Sequence, residues 1–129
     1  MRNYAAACGK QGLDLVLCGD MNVTRTDRDV HPKERKADAI GQRPDERALF
    51  EKILSEGKVV DIGRTLDPEN DRLFTWWPPW RQMRQKNIGW RLDYVLASTS
   101  LVDHIPECTV LAQLGTSDHA PVVAELQKF

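Results

Sequence analysis

Apolar and polar positions alternate unevenly along the chain, and each regular stretch predicts an element. From Leu13 to Cys18 every position but Asp14 is apolar. Both alternating faces therefore suit burial, as in a strand held between two layers. Pro44 to Glu56 predicts the clearest helix: proline opens its first turn, Asp45 and Glu46 favour the positive end of the dipole, and Gly57 stops it. Leu49 with Ile53, and Phe50 with Leu54, give that helix its i, i+4 apolar face. Met1 to Gly12 reads as the tail of a helix ending at Gly9 or Gly12. Lys58–Ile62 reads as a short strand or extended connection. Phe74–Trp77 and Trp90–Ala97 read as strands flanking an excursion from Pro78 to Gly89, and Cys108–Ala112 and Pro121–Leu126 are the remaining strand candidates. Gly19 to Gly41 is polar and rich in Arg and Asp, which predicts a long surface loop with one helical turn near Lys33–Ala37. Loops of that length inside compact domains are usually functional. Several strands with one or two helices outside them make an α/β or α+β layered domain.

A length of 129 residues, 41% hydrophobic and 29% charged, fits one soluble globular domain, residues 1–129, and excludes wholesale disorder. No apolar run approaches a membrane span, and Met1–Lys10 lacks the apolar stretch of a signal peptide. Cys8, Cys18 and Cys108 are odd in number and show no C-x-x-C spacing, so a reduced, cytoplasmic setting is the expectation. The net charge of −1 conceals one asymmetry. Between Arg72 and Leu92 lie five basic residues (Arg72, Arg81, Arg84, Lys86, Arg91), no Asp or Glu, and all four tryptophans. A basic, aromatic segment in a near-neutral chain points to a local surface for a polyanion.

Three segments carry candidate chemistry. The strand ending in Gly19-Asp20-Met21-Asn22 brings polar groups to a sheet edge, and if it stays extended Asp20 and Asn22 share a side. The same residues also suit a turn. In Gly89–Ala97, Asp93 falls on one face with Arg91 and Val95. A carboxylate in a strand fit for burial needs a partner. Arg91 is the plain partner, and a histidine would be the functional one, oriented for acid–base work. Asp118-His119, just before Pro121, sets an acid and an imidazole at another sheet edge, or caps a turn with a surface histidine.

In their order, G-D-M-N-V (19–23), F-T-W-W (74–77) with W-R-L-D-Y-V-L-A-S (90–98), and S-D-H-A-P-V (117–122) resemble the exonuclease III family of AP endonucleases. That family lies within the wider endonuclease/exonuclease/phosphatase superfamily. The resemblance runs from about Leu13 to the C-terminus and matches the C-terminal half of such a protein. It implies half of a four-layer αββα sandwich: one mixed or antiparallel sheet with one or two outer helices. Asp20 is implied as catalytic acid or base near the attacking water, and Asn22 as a stabiliser of the charged phosphate beside the metal. Asp93 is implied to orient the catalytic histidine, Asp118 to lie near the metal, and His119 to act at the scissile phosphate. The implied metal set is Asp20, Asn22, Asp118 and His119. Its oxygen-rich donors suit Mg²⁺, with Mn²⁺ as the alternative.

The implied substrate is double-stranded DNA with abasic or 3′-damaged sites. The expected contacts are Arg81, Arg84 and Lys86 on phosphates, with Trp77, Trp80 or Met83 wedged at a base step. Trp76 and Trp90 are expected in the core. The basic, Trp-rich loop argues against lipid- and inositol-phosphate substrates. A metal-binding glutamate, an early asparagine and an active-site tyrosine belong to the other half of the family fold, and Tyr4 lies too close to the Gly-Asp-x-Asn strand to serve as that tyrosine. The expectations are therefore a nuclease incomplete in this chain alone, a non-catalytic DNA-binding or assembly module, or a homodimer that rebuilds the sandwich. Leu13–Cys18 is expected at the centre of a single sheet whose edge gathers the five site residues. Leu15, Leu17, Leu92, Tyr94, Leu96 and Val123 are expected to contribute to a face that a partner covers.

Overall fold

The computed structural model describes residues 1–128. Helix α1 (Arg2–Lys10) leads into strand β1 (Val16–Asp20), and a long loop holding two short 3₁₀ turns, Asp27–Asp29 and Pro32–Glu34, leads to α2 (Pro44–Gly57). Then come β2 (Val59–Asp61), α3 (Ile62–Leu66), β3 (Asp93–Ser98), a 3₁₀ turn (Thr99–His104), β4 (Glu107–Val110) and β5 (Val122–Glu125). Helix α2 starts as its sequence requires: proline stands in the first turn, and the Glu46 carboxylate turns back to accept from the Gly41 N–H at 2.9 Å. It stops at Lys58, which takes the left-handed conformation at φ 50°. Gly57 lets α1 approach, since a Cβ there would meet the Ala5 Cβ at 2.8 Å.

β1 and β2 flank β3, both antiparallel, in the order β1-β3-β2. The central strand is therefore β3, and β1 is an edge, contrary to the expectation for Leu13–Cys18. The physical reason lies in the burial of alternate residues. Tyr94 through Ala97 are all buried, whereas Val16 and Cys18 of β1 are exposed and only Leu15 and Leu17 pack inward. One face of β3 places Tyr94 and Leu96 against Phe50 and Leu54 of α2, together with Val23 and Val59. The other face packs Val95 and Ala97 with Ile62, Leu101 and Ile105, and with Cys108, Val122 and Ala124 from the β4–β5 hairpin.

That hairpin is a separate two-stranded ladder. The single expected sheet is thus divided: a helix-backed three-stranded sheet, and a hairpin that packs on β3 without hydrogen-bonding to it in a ladder. The α/β class with antiparallel sheets and few helices stands. Phe74–Trp77 and Trp90–Leu92 form only isolated bridges, Trp76 with Trp90 and with His119, and Val30 with Trp90. Pro78 and Pro79 have no N–H to continue a ladder there.

The partner-facing patch also differs from expectation. Leu92, Tyr94 and Leu96 are buried within this chain. What stays open is an apolar trough of about 310 Å³ between β1 and β5, lined by Val16, Cys18, Val95, Val122, Val123 and Leu126 among others. Burial on the two faces of the β1-β3-β2 sheet sets a measurable contrast. Leu96→Ala, at a fully buried position, is expected to cost about 2–5 kcal/mol in urea denaturation, while Val16→Ala should stay below about 1 kcal/mol. Equal losses at the two sites would contradict this placement of the core.

Candidate active site

Strand register assembles the site. Because β1 runs antiparallel to β3, its last residue, Asp20, stands directly opposite the first residue of β3, Asp93. Two carboxylates facing across a ladder repel, and a third group lies between them. His119 Nδ1 lies 2.8 Å from Asp93 Oδ2, in hydrogen-bond contact, and His119 Nε2 lies 3.8 Å from Asp20 Oδ2. The plain partner for Asp93, Arg91, is committed elsewhere, and the histidine takes its place.

His119 is brought there by a loop tied down along its length. The Ala120 N–H donates to the Thr75 carbonyl at 2.7 Å, and the Trp77 N–H to the Asp118 carbonyl at 3.3 Å. Thr75 is buried, and its hydroxyl oxygen accepts from the Leu92 and Asp93 N–H groups at 2.9 and 3.0 Å. Thr75 thus ties both together: its side chain fixes the start of β3, and its backbone carbonyl holds the segment that carries His119. Thr75 carried no signal in the sequence beyond being a small polar residue inside an aromatic run.

Asp20 and Asn22 do not share a strand face. β1 ends at Asp20, and Asn22 adopts φ 54°, with its N–H donating to Asp20 Oδ1 at 2.8 Å. The turn reading describes this backbone correctly, and the alternation argument fails at Met21. Asp118 is also set apart. Its Oδ2 accepts from the Trp76 indole N–H at 3.0 Å, and that bond is the main reason its carboxyl sits below the usual range. Among the described carboxylate, imidazole and thiol side chains, Asp20, Asp93 and His119 bring donor atoms within 4.8 Å of one another. Of the implied metal set, Asp20 and His119 are in this cluster. Asp118 is not, and Asp93 joins it. Two partly exposed carboxylates beside one imidazole are a fitting donor set for a hard divalent cation.

The basic loop divides sharply. Trp77 is 2% exposed, and its indole N–H donates to Asn87 Oδ1 at 2.9 Å. The Arg84 guanidinium stacks 4.5 Å over the Trp77 ring and donates to the carbonyls of Ala112, Leu114 and Ser117. Met83 packs against Phe74, Trp77 and Ala120. Trp77 is thus core, contrary to the expectation of a DNA contact, whereas Met83 and Arg84 are half-buried and take part in the loop's own packing. Trp80, at 58% exposed, stands out to solvent with Arg81 and Lys86. Trp76 and Trp90 are half-buried rather than core, in an edge-to-face pair with centroids 5.4 Å apart.

Behind the site lies a charge cluster that the sequence did not announce. Arg91 is buried and bonds to Asp29 and Asp61, which are buried as well. Burial alone would raise the Asp29 carboxyl. The Arg91 and Arg64 guanidiniums outweigh it and hold that carboxyl below its ordinary value. The one visible signal was an arginine between Trp90 and Leu92, just ahead of β3.

Residues 1–119 match the model of the Endonuclease/Exonuclease/phosphatase family. The chain is 37% identical over 108 residues to a Bacillus subtilis protein named Exodeoxyribonuclease, a match covering 84% of this chain and 42% of that protein. It is 37% identical over 116 residues to the Danio rerio DNA repair nuclease APEX1, covering 86% and 37%. The solved 3′-5′ exonuclease NExo from Neisseria meningitidis superposes with a TM-score of 0.89 at 28% identity, covering 98% of this chain and 50% of that one. The chain thus spans half or less of the length of each of these relatives.

Proposed function

Because the chain belongs to the Endonuclease/Exonuclease/phosphatase family, we propose that Asp20, Asp93 and His119 form part of the centre of a Mg²⁺-dependent nuclease. Its substrate is duplex DNA carrying abasic or 3′-damaged sites. The observation that carries this reading is the imidazole held between two cross-strand carboxylates at the open end of β1 and β3. Asp93 keeps the ring oriented and its Nδ1 protonated, which leaves Nε2 facing the reaction side. Asp20, at the exposed strand end, is placed to take a proton from the attacking water. Asn22 and Asp118, on the segments next to Asp20 and His119, would supply an amide and a carboxylate toward the phosphate and the cation. The carboxylates of Asp20 and Asp93 would contribute to holding Mg²⁺, with Mn²⁺ as substitute, leaving His119 Nε2 for the reaction; when bound the cation neutralises non-bridging phosphate oxygens and acidifies water.

The test is nicking of an abasic-site duplex with Mg²⁺, by the chain alone and mixed with the half of the Neisseria relative that it does not span. Turnover in the mixture supports an enzyme whose site is completed by that half. Binding without nicking in both arms would replace the proposal with its rival, a DNA-binding module without turnover.

For DNA binding the reading relies on Trp80, Arg81 and Lys86. Arg81→Ala with Lys86→Ala is expected to weaken duplex binding with little sequence dependence. The slope of log K against log salt should flatten by about 0.9 for each phosphate that the variant no longer neutralises. An unchanged slope would make the loop a solvated surface.

The trough between β1 and β5 gives the reading a partner. Its apolar lining, Val16, Cys18, Val122 and Val123, suits a second copy of this chain covering the open face. Sedimentation at micromolar concentration is expected to show a dimer that Val123→Lys converts to monomer. A wild-type monomer that binds the complementary half would assign the trough to that half.

A further inference from the structure

The Arg91 cluster lies outside the proposed chemistry, yet its connections converge on it. Arg91 Nε and Nη2 donate to the two carboxylate oxygens of Asp29 at 2.8 and 3.2 Å, and Nη1 and Nη2 donate to those of Asp61 at 2.8 and 2.6 Å. Asp29 belongs to the loop that follows Asn22, and Asp61 closes β2, whose register with β3 it ends at Leu96. The Arg91 N–H also donates to the Asp29 carbonyl at 2.8 Å. Its guanidinium stacks 4.5 Å over the Tyr94 ring. The Tyr94 hydroxyl lies 2.8 Å from the Val23 carbonyl and 3.0 Å from the Arg91 carbonyl, and it accepts from the Arg25 N–H. The entry of β3, two residues before Asp93, is thereby clamped to both its neighbours.

A buried ion cluster of this kind adds little net stability over apolar residues of the same volume, because desolvation offsets most of the attraction. What it supplies is a fixed position. Two guanidinium forks meeting two carboxylates admit one arrangement, and a lysine ammonium cannot reproduce it. We infer that Arg91 is a positioning residue: its clamp on Asp29 and Asp61 sets where Asp93 stands and so holds the His119 ring. The inference rests on the reading of Asp93 and His119 as a pair.

The test reads the ring itself. In the full 129-residue chain, ¹⁵N NMR of the neutral His119 imidazole is expected to show the Nδ1–H tautomer as dominant in the wild type. Arg91→Lys keeps the charge and loses the double fork, and Asp29→Asn is a gentler second variant; in both, the Nδ1–H form should lose its dominance. Leu101→Ala, in the core on the other face of β3, should lower stability and leave the tautomer as it is. The inference is overturned if both clamp variants, folded by circular dichroism, keep the wild-type tautomer, or if Leu101→Ala shifts it equally. A wild-type ring without Nδ1–H overturns the Asp93–His119 pairing itself, a separate failure that needs no activity measurement to detect.

Discussion

His119→Asn in the completed nuclease is expected to slow abasic-site nicking by about 10²–10⁴-fold, the usual weight of a positioned acid–base group. The imidazole joins the β5 side of the fold to the facing pair Asp20 and Asp93. An asparagine can still donate to Asp93, so the loop's anchors through Thr75 should hold and the melting temperature should change little. Single-turnover rates on an abasic duplex, measured beside a thermal melt, separate chemistry from folding. A variant that keeps its rate within a few-fold would remove His119 from the reaction and leave it a structural bridge between carboxylates.

Arg91→Leu should act on stability as strongly as His119→Asn acts on rate. The change leaves Asp29 and Asp61 buried without their main counter-charge, and breaking a buried pair from one side costs about 3–5 kcal/mol. The effect has a definite pH dependence. The Asp29 carboxyl is held below its ordinary value in the folded protein. Its contribution is therefore fully present above the unfolded carboxylate pKa of about 4, and is lost as pH falls through the depressed folded value. Urea midpoints from neutral to acid pH should converge for wild type and variant at the acid end. Parallel curves would mean that Asp29 contributes no pH-dependent stability.

Much of the site was legible because its residues occupy strand ends. Asp20 and Asp93 terminate or begin apolar runs, and an Asp-His dipeptide before Pro121 is conspicuous. What sequence could not supply was partner choice. In the sequence Arg91 and Asp93 are two apart, the spacing of neighbours on one strand face, yet each finds its partner across the fold, Arg91 in Asp29 and Asp61 and Asp93 in His119. Trp77 and Trp80 are alike in type and neighbourhood, and only three-dimensional packing makes one core and the other surface. The run Leu13–Cys18 shows the same limit for the fold. An apolar strand announces that both faces suit burial, but not whether this chain covers both, and Val16 and Cys18 remain open.

The division between the helix-backed sheet and the β4–β5 hairpin also separates the protein into regions of unequal persistence. Asp20 and Asp93 lie on the three-stranded ladder, whereas His119 arrives on the connection into β5, which is held by the carbonyl grip of Arg84 and a few backbone bonds to Thr75 and Trp77. Local openings release the region with the fewest cooperative hydrogen bonds first. Amide exchange should therefore be faster at 112–120 than in β3, and transient release of that segment would remove the imidazole while both carboxylates stay in register. On the proposed reading, the site is whole only while that segment is docked, an interval expected to be shorter than the lifetime of the folded chain.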